Sequence, residues 1–190
     1  MLDVNKMQKP LAQASRSEPK EIRVGANTCR LARQGERLVA RDVLADVVVT
    51  VQVPAAGFAA MLRFSVPEEA NVSRRRLKAL WDFADQALEL LFGSIRSMDI
   101  PASDVIVSAV GGADVVGHTF GYGNDLALAV QRSLWRQSVV LNADDLGGTN
   151  SRVIWLEASG DRLIVRSAAP QLGDPMSLQL ADQLQRPRAS

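Results

Sequence analysis

Apolar residues in this chain fall into stretches with different periods, and each period predicts an element. Val47-Val48-Val49-Thr50-Val51-Gln52-Val53 is a β-branched run closed by Pro54, which predicts a strand. Over residues 58–66 the pattern becomes an alternation. Phe58, Ala60, Leu62, Phe64 and Val66 share one face, and Arg63 and Ser65 take the other. Pro54-Ala55-Ala56-Gly57 lies between the two runs and predicts the turn of a hairpin. Leu77, Leu80, Trp81, Ala84, Leu88, Leu91 and Ile95 then recur at three- and four-residue spacing. That stripe predicts a long helix N-capped by Ser73. Residues 104–110 predict a buried strand ended by Gly111-Gly112. Residues 124–135 predict a second helix with Leu126, Val130 and Leu134 in register, and residues 138–141 a short strand. Residues 152–157 and 162–166 predict a last hairpin around Ser159-Gly160-Asp161. Strand pairs interleaved with two helices predict an α/β fold, an α+β sandwich built on mixed β-sheets.

The two ends lack such periods. Residues 1–20 read as a flexible leader and residues 169–190 as a flexible tail, so the organised domain is expected over 21–168. The first 41 residues carry nine Lys/Arg against four acids. A solvated leader and a basic arm that touches an acidic partner both fit, because the charges are spaced out and lack interleaved aromatics. The chain has 190 residues, 47% of them apolar and 23% charged, which excludes a disordered or fibrous chain. No apolar run approaches the roughly 18–20 residues that span a bilayer, which excludes direct membrane insertion. Residues 1–23 carry no apolar signal core. A formal net charge of +1 gives the whole molecule no strong field for nucleic acid, so no nucleic-acid partner is expected. A single cysteine, Cys29, excludes an internal disulfide and fits a reducing cytoplasm.

The residues offer little catalytic chemistry by themselves. Cys29 and the one histidine, His118, cannot make a Cys- or His-rich metal site, and no cofactor is implied. His118 stands in the Gly-flanked loop Val116-Gly117-His118-Thr119 and reads as a loop histidine or a lone base. Cys29 is either a buried thiol or, beside a base, a nucleophile. Gly121-Tyr122-Gly123-Asn124 opens the second helix, where it could face an anion or simply make a turn. Arg74-Arg75-Arg76 opposes the macrodipole at the start of the first helix, which fits a docking patch or a solvated face.

Four blocks in register carry a family resemblance. Phe83-Ala84-Asp85-Gln86-Ala87 is similar to Tyr-Ala-Asp-x-Ala, and Gly111-Gly112-Ala113 follows a strand. Phe120-Gly121-Tyr122-Gly123-Asn124 is similar to Ile-Gly-x-Arg-Asn. Asp145-Leu146-Gly147-Gly148-Thr149-Asn150-Ser151-Arg152, with Ser159-Gly160-Asp161 after it, is similar to Asp-x-Gly-Gly-x-x-x-Arg followed by a Thr-Gly hairpin. Over roughly residues 23–166 the chain resembles the CheD family of chemoreceptor glutamine deamidases. The resemblance implies helices packed on one side of the sheets and hydrolysis of a glutamine side-chain amide on a chemoreceptor. In that family a cysteine thiolate attacks the amide carbon, a histidine serves as base and then acid, a threonine supports the pair, and no metal takes part. The implied partners are chemoreceptor cytoplasmic helices or a CheC-type phosphatase. Gly111, Gly112, Gly147 and Gly148 would shape the rim of the binding groove, with Asn124 and Arg152 holding its loops.

The chain departs from that family at the reacting positions. Ala60-Met61-Leu62-Arg63-Phe64-Ser65-Val66-Pro67 places Arg63 at the histidine. Reading back without a gap puts Leu44-Ala45-Asp46-Val47 on the family's Gly-Ser-Cys-Val, so Asp46 stands at the nucleophile and Ala40 at the threonine. Arginine stays protonated and cannot act as a base. The expectation is a catalytically degenerate relative that acts by binding, with an Asp46–Arg63 pair in the old pocket. Two alternatives stay open. One is an active deamidase in which Asn27-Thr28-Cys29-Arg30 supplies Cys29 as nucleophile, and the other is an interaction module unrelated to chemotaxis.

Overall fold

A computed structural model of the chain describes residues 18–65, 84–114, 122–158 and 162–168. The leader up to residue 17, the tail from residue 169, Ser73, Arg74-Arg75-Arg76, His118 and the turn at Ser159-Gly160-Asp161 lie outside the described residues. Among the described residues there are nine strands and two α-helices. They are β1 (Lys20–Arg23), β2 (Thr28–Arg33), β3 (Glu36–Val43), β4 (Val47–Val53), β5 (Phe58–Phe64), α1 (Ala84–Arg96), β6 (Ile106–Gly111), α2 (Tyr122–Arg136), β7 (Ala143–Leu146), β8 (Ser151–Glu157) and β9 (Leu163–Ala168).

The strands make two mixed sheets, in the order β1-β3-β8-β9 and β2-β5-β4-β6-β7. The β-branched run becomes β4, buried along its whole length between β5 and β6 in the five-stranded sheet. Its expected hairpin with β5 forms, Val53 opposite Phe58 and Val47 opposite Phe64. Two apolar clusters follow from the alternation. Val47, Val49, Val51, Leu62 and Phe64 face α1 and α2, meeting Leu88, Leu91, Leu126 and Val130. Val48, Ala59 and Met61 face the other way and meet Leu38, Ile154 and Leu156 of the four-stranded sheet. The molecule is thus layered as helices, five-stranded sheet and four-stranded sheet, with both helices on one side.

Residues 138–141 form no strand. Ser138 takes a left-handed backbone (φ 56°) and its N–H donates to Trp135 O at 2.9 Å, closing the end of α2. The strand comes later, as β7, parallel to β6 with Ala143 opposite Ser108. Its sequence, Ala-Asp-Asp-Leu, is polar because it is a sheet edge. The three N-terminal strands also escape the apolar pattern. β1 and β2 are edges rich in charge, and β3 alternates Arg37, Arg41 and Asp42 against a buried Leu38-Val39-Ala40. A bulge between Ala40 and Val43, with Asp42 at φ 54°, bends β3 where it approaches β4.

Candidate functional site

Several of the residues singled out from the sequence converge at one end of the five-stranded sheet, where β6 and β7 finish and α2 begins. Asp46 ends the short connection from β3 to β4, and Arg63 lies one strand over on β5, opposite Val48. The Arg63 Nε donates to Asp46 Oδ2 at 2.7 Å. Its two remaining nitrogens donate to Arg41 O at 2.8 Å and Asp42 O at 3.1 Å. The guanidinium therefore satisfies a carboxylate and both carbonyls of the β3 bulge at once. Both side chains are largely withdrawn from water, 13% exposed for Arg63 and 20% for Asp46. The expected pairing of Asp46 with Arg63 is present. Ala40, just before the bulge, is fully buried opposite Ile154 and presents only a methyl group.

The glycines next to this clamp are demanded by backbone contact. Gly111 has φ 121°, and a Cβ there would come within 2.2 Å of Asp46 O. Gly112 has φ 64°, and its Cβ would meet Gly123 O at 2.7 Å. The approach is close because the Gly112 N–H donates to Asp46 O and the Ala113 N–H to Leu44 O, both at 2.8 Å. Gly147 N–H donates to Gly111 O, and Asp114 N–H to Gly148 O. Gly147 and Gly148, both at positive φ, thus fasten the loop after β7 to the end of β6. Asn124 stands in the first turn of α2, its Oδ1 3.8 Å from where a Gly147 Cβ would lie.

Arg152 ties that same loop and presents nothing to solvent. Its Nε and Nη2 grip Asp145 at 3.1 and 2.8 Å, Nη2 also reaches Gly147 O, and Nη1 reaches Asn150 O. Hydrogen bonding from Arg152 holds the Asp145 carboxyl below its ordinary range.

Cys29 does not share this site. It sits on β2 opposite Leu62 and packs with the helix-side cluster, whereas Arg63, paired with Val48 of the intersheet cluster, points to the opposite face of the sheet. Burial pushes its thiol up to about 11, with Arg30 pulling weakly the other way. That is the reverse of an activated nucleophile.

Sequence reasoning missed a second set of contacts at the rim. The Tyr122 hydroxyl donates to Ser65 O, and the Ser65 N–H and hydroxyl both bond to Asn27 Oδ1 at 2.9 Å. The turn before β2, the end of β5 and the start of α2 are stitched together beside the clamp. Burial, and then the Asp46 charge, raise the Tyr122 phenol above its usual range. The available signal was that Tyr122 is the one tyrosine of the chain, set between two glycines.

Comparison with known proteins gives the chain a family. Residues 65–167 match the family described as CheD chemotactic sensory transduction. A probable chemoreceptor glutamine deamidase CheD of Solibacter usitatus is 27% identical over 154 residues, covering 80% of this chain and 91% of the relative. A CheD 1 of Syntrophus aciditrophicus with the same description is 24% identical over 73% of this chain and 88% of its own length. A CheD 2 of Anaeromyxobacter dehalogenans, likewise described, is 32% identical over 56% of this chain and 69% of its own length. The family match takes in α1, the two glycine pairs, the Asp145–Arg152 tie and the last hairpin, more than half of the chain, and this protein belongs to the CheD family.

Proposed function

We propose that this chain is a CheD-family protein that binds its partner without hydrolysing a glutamine amide. The partner is the cytoplasmic helices of a chemoreceptor or a CheC-type phosphatase, and the protein works in the cytoplasm. No described helix is long and apolar enough to cross a membrane. The observation that carries the reading is the Asp46–Arg63 clamp. By the ungapped correspondence drawn from the sequence, these residues and Ala40 stand where relatives keep cysteine, histidine and threonine. Deamidation needs a nucleophile, a group that carries a proton to the leaving ammonia, and donors for the oxyanion. Arginine carries no exchangeable lone pair at working pH. The Asp46 carboxylate is held by the guanidinium, and the N–H groups of Gly112 and Ala113 already donate to carbonyls of the chain. No cofactor enters the reading.

Binding asks less of the site. The glycine rim, the Asp145–Arg152 tie and the Tyr122–Ser65–Asn27 stitch keep a shaped surface without any reacting group. The test is a titration of the purified chain with a chemoreceptor cytoplasmic fragment and, separately, with a CheC-type phosphatase, followed by calorimetry. Saturable binding to one of them is expected, and binding to neither overturns the reading. The competing Cys29 reading has its own check. With a thiol pushed up to about 11, alkylation by iodoacetamide at pH 8 should run about tenfold or more slower than for free cysteine. Alkylation as fast as free cysteine would revive Cys29 as a nucleophile.

A further inference from the structure

The four-stranded sheet has an outer face, turned away from the helices and from the second sheet, and strand register alone decides what stands on it. Leu38, Ala40, Ile154 and Leu156 point inward to the intersheet core. Their neighbours must point outward. Arg23, Val39, Trp155 and Ile164 consequently lie side by side across all four strands, Arg23 opposite Val39, Val39 opposite Trp155, Trp155 opposite Ile164. Val153 and Arg166 form the next row. Val39 is only 1% exposed although it faces away from both cores, so its neighbours close over it, while Trp155, Ile164 and Val153 remain half-buried.

The charges on this face do not balance locally. Glu21 and Glu157 are both held by Arg37, at 2.7 and 3.8 Å, and Glu21 also by Arg41 at 3.7 Å. Among the described residues Arg23 and Arg166 have no carboxylate partner. Arg166 instead lies over the Trp155 ring, 5.5 Å from its centroid. The face is therefore an apolar row with a guanidinium that no described carboxylate holds on each outer strand, the two positions about 16 Å apart, three strand spacings across and one row along.

We propose that this face docks an acidic protein segment, its apolar side chains against Trp155 and Ile164 and its carboxylates on Arg23 and Arg166. Aromatic and arginine side chains around a dry centre are the composition of binding hot spots. Two isolated cations with Glu21 and Glu157 beside them do not track a phosphate ladder, which disfavours nucleic acid. A second copy would bring the same cations against themselves. The proposal goes beyond the receptor-binding reading and does not depend on it.

The test uses the full chain and a synthetic leucine-centred helical peptide with glutamates at both ends. The indole N–H signal of Trp155, assigned with Trp155→Phe, is followed by NMR through the titration. A saturable shift is expected, weakening as salt is raised, with the Arg23→Glu/Arg166→Glu pair losing about tenfold or more in affinity. Both arginines are exposed, so the fold should persist by circular dichroism. The milder Arg23→Gln/Arg166→Gln pair should lose about threefold. The proposal is overturned if the Trp155 signal does not move, or if both arginine pairs bind as the native chain does. Equal binding by a lysine-ended peptide or a short oligothymidine, or a shift that follows protein concentration alone, overturns it too.

Discussion

Two arginine–aspartate ties hold neighbouring parts of the molecule, and they differ in how they grip and where they stand. Arg152 grips Asp145 with two nitrogens and caps the carbonyls of Gly147 and Asn150, while its side chain stays 6% exposed. Arg63 grips Asp46 with one nitrogen and caps the carbonyls of Arg41 and Asp42. The chemistry is the same, a guanidinium fork spread over a carboxylate and two carbonyls. The first tie lies within the residues that match the family and fixes a loop. The second lies outside the matched residues and, under the proposed function, occupies the place of the family's reacting pair. A planar ion with five donors suits this, because it can satisfy a carboxylate and both carbonyls of a bulge at once.

Each tie and its glycine neighbours can be removed one at a time. Gly111→Ala should have the largest effect, about 3 kcal/mol or more in urea unfolding. It combines a left-handed backbone with a Cβ 2.2 Å from Asp46 O. A loss under about 1 kcal/mol would mean that the two ends of the site are not locked together. Arg152→Ala should follow at about 2–3 kcal/mol, discounted because Asp145 is 44% exposed. Arg63→Ala should cost about 2 kcal/mol, and a double-mutant cycle with Asp46→Ala should show a coupling of about 1 kcal/mol. Zero coupling would reduce the clamp to two independent side chains.

The smallest effects are in pH. The Asp145 carboxyl is held low by Arg152, so its share of stability is present above the ordinary aspartate range. That share should fade as the solution is acidified through the lowered value. In Arg152→Ala this acid-side loss should shrink. Tyr122 is raised, so its share is present below the ordinary phenol range and lost as pH climbs through the raised value. With one tyrosine in the chain, absorbance at the phenolate band reads Tyr122 directly. Its midpoint should fall slightly in Asp46→Asn. No movement would remove Asp46 from the rim electrostatics.

Legibility in the sequence followed apolar content. The β4–β5 hairpin, β6, α2 and the β8–β9 hairpin could be read because their buried faces impose a period. β7 could not, since an edge strand reading Ala-Asp-Asp-Leu carries no such face, and β1 and β2 failed for the same reason. At the site, Asp46, Arg63, Gly111, Gly112, Gly147, Gly148 and Arg152 were found through spacing against a family pattern. Tyr122, Ser65 and Asn27 were not, because their bonds join three turns far apart in the chain and only coordinates bring them together. Cys29 is open in the sequence to a buried-thiol or a nucleophile reading, and the register places it on the face of the sheet opposite Arg63.

The claim that the clamp has ended the chemistry while leaving the binding surface is tested most directly by mass. A chemoreceptor cytoplasmic fragment that the chain binds is incubated with it and read by mass spectrometry, where each converted glutamine adds about 1 Da. The account predicts an unchanged mass over hours at saturating protein. A stoichiometric gain that disappears in Arg63→Ala or Cys29→Ala would contradict it.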